Sequence, residues 1–482
     1  MLLTWKNQSI DLLNQGDFQI VKHGPLHVPI EGFVIHRDEN LALTLETKAA
    51  LTATSTAVQH PLGTVILNTE QVELVNTSGI KAILSGVQTR SVSTSQIPEE
   101  PHLNGMKEIA NIHQIMVTPG DPENATYTIE WLENLPCSPF IWPNSIRFET
   151  ETTTVWSIGL SEDGITIFDA DHSGSLSYAA SKLTVAGNTF YVCALGNLAG
   201  STGIKPGCII YIGTPDDLVR KKIRTALSFA LGVYLIELGH TRYDKEWNVV
   251  FAVARSSYSL GQRAFDLSPM PLAPLSDRDW QDDLGPAKLT RMVNALFSAY
   301  ETLDLGNLSW AYWHARTATV HIAPAHFGAA IEALQRAYVK SYPDTVATKV
   351  LVKTDWKPLN DAICNAITNA TIQEDNKAII SGNVNHLNDV PIREILKTIF
   401  SATDIVLGIE EDAAWKRRND AAHGTPIPEG KELAAIRDMK LLTGLFHRML
   451  LRISNASDSY IDYVSLGHTL RLLKNAPDDM AG

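Results

Sequence analysis

The hydrophobic period of this chain changes once, and that change limits what the chain can fold into. Up to about residue 262, apolar residues recur at every second position in short runs separated by Gly, Pro and Asn. Leu41–Thr47, Gly63–Asn68, Thr126–Leu132, Thr152–Ile158, Phe190–Leu195 and Val249–Ala254 are such runs, rich in Val, Ile, Thr and aromatics. A period of two sends alternate side chains to opposite faces of a pleated strand, so this half predicts a β-rich, sandwich or barrel-like domain. One helix is predicted within it, over Asp216–Leu238, opening on an acidic turn after Pro215 and ending near Gly239.

Beyond residue 286 the period becomes helical. Leu289, Met292, Val293 and Leu296 share one face, as do Phe327, Ile331, Leu334 and Tyr338. Leu359, Ile363 and Ile367 make another such face, and Ile392, Ile395, Leu396, Ile399 and Phe400 a further one behind Pro391. Glu410–Gly424 and Lys431–Ile453 supply two more helices, and Ile461–Leu473 a last amphipathic stretch. Between the two regimes lies FDLSPMPLAPLSDRDWQDDLGP, with three prolines from Pro269 to Pro274 and then an acidic run. Neither helix nor central strand propagates through it. The expected fold is therefore α+β and multidomain: residues 1–262 β-rich, residues 263–285 a linker, and residues 286–482 an all-α helical bundle.

Composition narrows the function classes. The net charge of −13 argues against a general nucleic-acid coat, which needs many cations to displace counterions. The charge is uneven: residues 1–262 hold 17 Lys+Arg against 26 Asp+Glu, whereas residues 286–482 hold 21 against 22. A confined RNA site is thus compatible with the C-terminal third. Cys137, Cys193, Cys208 and Cys364 are far apart with no C-x-x-C pair, which points to free thiols and a reducing compartment. The N-terminus MLLTWKNQSIDLLNQGD breaks before a leader-like apolar stretch forms, and the apolar run in Ala226–Leu238 stops at Glu237. The expectation is a cytoplasmic protein that does not span a membrane.

The segment GIEEDAAWKRRNDAAHGTP, residues 408–426, concentrates the chemistry. Glu410, Glu411 and Asp412 suit the positive end of a helix dipole, and Gly424 with Pro426 provides a stop. His423 then falls in the last turn, where the dipole favours its imidazolium form. Asn419 and His423 are four apart on one face, and Arg418 reaches toward it. A guanidinium, an amide and an imidazole at one helix end can clamp, position and protonate a phosphate ester. Neither Arg418 nor His423 looks placed to fill an apolar core, so alanine at either is expected to cost little stability.

Arg418-Asn419-Asp420-Ala421-Ala422-His423 resembles the signature of the HEPN superfamily, in which Arg, often followed by Asn, precedes His by four to six residues late on a bundle helix. AAIEALQRAYV resembles the first core helix of the ApeA-like branch, found in anti-phage proteins with an N-terminal β-rich domain. The resemblance implies a metal-independent endoribonuclease with no cofactor, acting on RNA (tRNA included) in anti-phage abortive infection or stress. It implies Arg418, Asn419 and His423 as catalytic residues. Lys416 and Arg417, with Arg336 and Lys340, are candidate peripheral RNA-phosphate contacts, the plainer reading of each being a solvated helix charge. The resemblance also implies a homodimer or higher even oligomer through the bundle, so that two motifs face one cleft, and an N-terminal domain responding to a phage or stress trigger. The rival expectation is a non-catalytic binding or dimerisation module.

Other matches have plainer readings. Tyr178-Ala-Ala-Ser181-Lys182 copies a short-chain dehydrogenase element, but no Gly-rich dinucleotide turn precedes it, so a strand is expected. Asp169-Ala-Asp171-His-Ser173-Gly174 opens like a calcium loop, yet Ala180 stands where a bidentate Glu is required. His314, His321 and His326 are too irregularly spaced for a zinc site.

Overall fold

The computed structural model describes the chain apart from residues 1–7, 27–28, 51–69, 98–99, 137–141, 143, 151–153, 159–164, 170–176, 196–204, 258–260, 262–263, 276–286, 385 and 478–482. The predicted strand Gly63–Asn68, Cys137 and the second half of the predicted linker lie outside the described residues. Two compact units emerge, one of residues 1–271 with 275–294, the other of residues 272–274 with 295–482.

The N-terminal unit opens with α1 (Gln8–Gln15), β1 (Gln19–Lys22), β2 (Pro29–Arg37), β3 (Leu43–Ala50) and β4 (Val72–Val75). It continues with β5 (Lys81–Ser85), β6 (Gln88–Ile97), β7 (Glu100–Ile112), β8 (Gln114–Thr118) and β9 (Tyr127–Leu132). Next come β10 (Asn144–Thr150), β11 (Thr154–Ile158), β12 (Ile165–Asp169), β13 (Ser177–Val185), β14 (Asn188–Ala194) and β15 (Gly207–Ile212). Then follow α2 (Asp217–Leu231), β16 (Glu237–Tyr243) and β17 (Val249–Arg255). Thirteen strands form one antiparallel sheet, ordered β1-β4-β5-β8-β17-β16-β9-β15-β14-β13-β10-β11-β12, and β2-β3-β7-β6 form a second.

The two sheets share a corner. The β5–β8 pair and the β6–β7 pair are one ribbon that changes sheet at Gly86 and His113. Gly86 has φ +62°, and a Cβ there would lie 2.6 Å from the His113 ring, so the bend requires glycine. Past the bend, Leu43, Leu45, Ala110 and Ile112 of the smaller sheet and Leu74, Leu84, Ile115 and Val117 of the larger one join Ile10 and Leu13 of α1 in one core. This is sandwich-like packing at one end of a long sheet.

The helix predicted over Asp216–Leu238 is shorter. The Asp216 side chain caps its start by accepting from the Val219 N–H at 2.7 Å. It stops at Gly232, which is left-handed (φ +66°) and whose Cβ would lie 1.9 Å from the Met270 carbonyl carbon. The apolar run past Gly232 leaves helix as an irregular connection over 233–236 and enters strand β16 at Glu237, with Gly239 inside the strand at φ +121°. A buried strand and a buried helix look alike over so short a run.

The C-terminal unit takes the end of α3 (Ala287–Ser298), then α4 (Leu305–Thr317), α5 (Ala323–Ser341), α6 (Lys353–Asn369) and α7 (Glu374–Val384). These are followed by α8 (Ile392–Thr403), α9 (Ile409–Ala422), α10 (Glu432–Ser454) and a hairpin of β18 (Ser459–Ile461) and β19 (Leu470–Leu472). The predicted faces of α3 and α5 are buried. Helix α10 is buried at every position from Leu441 to Leu451, as a central helix should be. Helix α6 is different: Leu359 is 46% exposed and no residue of the helix is buried.

The amphipathic helix expected over Ile461–Leu473 is a hairpin, which corrects the all-α expectation. Its turn is organised by Asp462, whose carboxylate accepts from the Val464 and Ser465 N–H groups and from Arg471 Nε at 2.7 Å. Such local acceptors compete with helix. In the predicted linker, Leu272 and Ala273 are fully buried, and the Leu272 carbonyl accepts the Ile461 N–H at 3.1 Å.

His447 gives this core a pH dependence. Its Nε2 lies 2.8 Å from the Tyr312 hydroxyl, and burial, aided by the Arg316 charge, pushes its pKa down to about 3. The unfolded chain, with a histidine near 6.5, binds the proton more readily, so stability is lost as pH falls from about 6.5 toward 3. His447→Gln is expected to flatten that acid limb in urea titrations of the C-terminal unit. An unchanged slope would show that His447 is not its source.

Candidate functional site

Helix α9 owes its placement to a narrow buried stripe. Glu411, Ala414 and Trp415 are buried, spaced i, i+3, i+4, and Arg418 at i+7 continues the stripe. The Arg418 side chain is only 12% exposed. Its shank runs over Gly328 of α5, where an added Cβ would lie 2.5 Å from Arg418 Cδ. One turn along α5, Glu332 receives Arg418 Nη2 in an ion pair. The guanidinium carbon stands 3.5 Å from the centre of the Trp415 ring, and Nη1 donates to the Trp415 carbonyl at 2.9 Å and to Asn419 Oδ1 at 3.1 Å.

Arg418 and Asn419 are thus brought together by a direct hydrogen bond. His423 stands at the helix end as C-cap, with its backbone N–H donating to the Asn419 carbonyl at 2.9 Å and its side chain exposed. The two predicted RNA contacts are held by carboxylates of the same chain. Lys416 pairs with Asp412 at 2.6 Å, and Arg417 makes a bidentate pair with Asp438 at 2.6 and 2.7 Å that raises its pKa.

The expectation for Arg418 needs correction on one point. It is a partly buried bridge between α5 and α9, so alanine there removes a stack and leaves Glu332 short of a partner. Arg418→Ala is expected to cost about 1–3 kcal/mol, against little change for the exposed His423→Ala. Chemical denaturation of the two variants checks this. Equal midpoints would mean that the bridge contributes nothing.

On the adjoining face of α5 a cleft of about 760 Å³ opens against α4. Its lining includes Arg336, whose Nη1 is 3.9 Å from Glu332, together with Lys340, Asn307 and Trp310. Trp310 is 67% exposed and its ring centre is 4.3 Å from that of His314. An exposed indole beside two cations can stack a base and hold a phosphate. The sequence pointed to Arg336 and Lys340 but not to Trp310 or Glu332. The readable signal was W-x-x-W on α4, of which Trp313 is fully buried and Trp310 is not.

The remaining motifs are structural. Ser181 and Lys182 lie with Tyr178 on strand β13, and Lys182 Nζ sits 5.8 Å from the Tyr191 ring centre. Asp169 ends β12 and Ala180 lies in β13, while Asp171 and Ser173 fall outside the described residues. His314 Nδ1 is 2.8 Å from the Trp310 carbonyl one turn back. Among the described residues, no three His, Cys, Asp or Glu side chains cluster as metal ligands, and no helix is long and apolar enough to cross a membrane. Compared with known proteins, the chain matches no family model, no curated protein and no solved structure.

Proposed function

We propose that the C-terminal unit is a metal-independent endoribonuclease of the HEPN kind that its R-N-x-x-x-H string resembles. The observation that carries this reading is the end of α9, where Arg418 is hydrogen-bonded to Asn419 and an exposed His423 caps the helix. The cleft holding Trp310, Arg336 and Lys340 lies along the helix that anchors Arg418, and it supplies the substrate track in this reading.

In the proposed reaction a ribose 2′-oxygen attacks the adjacent phosphorus and the bond to the 5′-oxygen breaks. The products are a 2′,3′-cyclic phosphate and a 5′-hydroxyl. One imidazole takes the 2′-proton and a second group protonates the leaving oxygen. Arg418 offsets the charge that builds on the phosphorane-like transition state, and Asn419 orients it. Glu332 fixes the guanidinium in place. Because one chain supplies a single His423, the second imidazole comes from a second copy, in a homodimer with an isologous interface. The biological setting proposed is anti-phage defence or a stress response, with residues 1–262 as the trigger-sensing part.

The second reading is a non-catalytic binding or dimerisation module. Arg418 supports it, since a guanidinium already paired with Glu332 and stacked on Trp415 also makes sense as a structural bridge. Incubating the purified protein with total RNA in EDTA, beside His423→Ala, separates the two. Cleavage by wild type alone supports the nuclease, and no cleavage by either supports the module. Light scattering adds a check: full activity from a monomer would rule out the two-copy site.

A further inference from the structure

The larger sheet of the N-terminal unit carries a buried charged face under α2. Arg224 of α2 pairs with both Glu130 of β9 and Glu237 of β16 (3.0 Å to the latter), and Arg255 of β17 also pairs with Glu237. The Tyr211 hydroxyl on β15 donates to Glu130 at 3.2 Å. Within that network each carboxylate meets a guanidinium, and the charges balance.

Next to it they do not. His240 is opposite Glu130 in the β16–β9 register, and Arg242, two residues on, shares its face. Arg220 lies one helical turn before Arg224. Arg220 is 3% exposed and His240 2% exposed. Arg220 spends Nη2 on the exposed carboxylate of Asp217, while among the described residues its Nε and Nη1 have no hydrogen-bond partner. Among the described residues neither ring nitrogen of His240 has one, nor does Nε of Arg242. Among the described residues no carboxylate pairs with Arg242.

The three cationic or protonatable groups feel one another. Burial, then the charges of Arg220 and Arg242, drives the His240 pKa down to about 2. Burial, then Arg220, disfavours the charged form of Arg242 as well. Buried donors without acceptors are costly, and like charges held together add to that cost. A fold that concentrates both on one spot is complementary to a compact anion. The guanidinium fork matches two oxygens of such a group, and the imidazole supplies a further N–H. Arg242 is only half-buried and the exposed Asp217 carboxylate acts on it, so the cluster has a side open to solvent.

We propose that Arg220, His240 and Arg242 form an anion-binding site in the N-terminal unit for a phosphate group, free or carried on a small molecule. Two guanidinium charges, both partly offset by Asp217, suit a compact group carrying one to two negative charges, as phosphate does at neutral pH. This site stands apart from the nuclease reading and does not depend on it.

The test uses the full-length protein at low salt, titrated calorimetrically with inorganic phosphate and, separately, with adenosine 5′-monophosphate. The expected result is saturable binding that weakens by about tenfold or more in Arg242→Gln, whose melting stays near wild type. Tighter binding of the nucleotide identifies a carried phosphate, and equal binding a free one; both support the site. His240→Gln, read the same way, serves if Arg242→Gln fails to fold. Absence of saturable binding of either probe up to about 10 mM would overturn the proposal. So would unchanged affinity in the folded variant.

Discussion

His423→Ala is expected to lower RNA cleavage by about 10²–10⁴-fold, the usual loss when a positioned acid or base is removed. The same variant should keep its melting profile and oligomeric state, because the side chain is exposed at a helix end and only its backbone N–H bonds to Asn419. That separation of activity from folding is what makes His423 more informative than Arg418. Arg418→Ala combines loss of a transition-state charge with loss of the α5–α9 bridge, so its activity must be read against its stability. The two substitutions together should cost far less than the product of their separate effects, since both act on one transition state. Cleavage retained by folded His423→Ala protein would place the chemistry elsewhere.

The largest stability effect is expected at Arg448. It is fully buried, and all five of its N–H groups are satisfied: Nη1 by both oxygens of Glu411 at 2.7 Å, Nε by the Leu473 carbonyl, and Nη2 by the Val406 and Lys474 carbonyls. Glu411 in turn accepts the Gly408 N–H at the start of α9. One side chain therefore ties α10, the start of α9 and the chain after β19. Arg448→Met leaves the buried Glu411 carboxylate with only the Gly408 N–H and takes a donor from three carbonyls, of which that of Lys474 keeps the Val406 N–H, and about 3–5 kcal/mol should be lost. Adding Glu411→Gln should recover part of it, because the uncompensated charge goes. Urea midpoints of the C-terminal transition measure both. A loss below about 1 kcal/mol would mean that water or rearrangement replaces the network.

Much of this architecture was legible because period is a local property of sequence. The two-residue alternation of Thr126–Leu132 and the helical spacing of Phe327, Ile331, Leu334 and Tyr338 each report a face that must be buried, whatever buries it. Misreadings fell where a local pattern had two solutions. The run after Gly232 continued an apolar stretch that close packing against Met270 ends as helix, and Asp462 turned an apparent amphipathic helix into a hairpin. Helix α6 has the right spacing, yet none of its residues is buried.

The candidate site divides along the same line. The order Arg418, Asn419, His423 near a Gly-Thr-Pro stop is written in the chain, since helix geometry fixes which residues are one turn apart. What Arg418 does inside the folded chain is not written there, because Glu332 and Gly328 are about ninety residues away and only the packing of α5 on α9 makes them neighbours. The pairing of Lys416 and Arg417 with Asp412 and Asp438, and the unpartnered buried nitrogens of Arg220, His240 and Arg242, were equally invisible. Composition determines how many charges a chain has; only tertiary structure decides which of them meet.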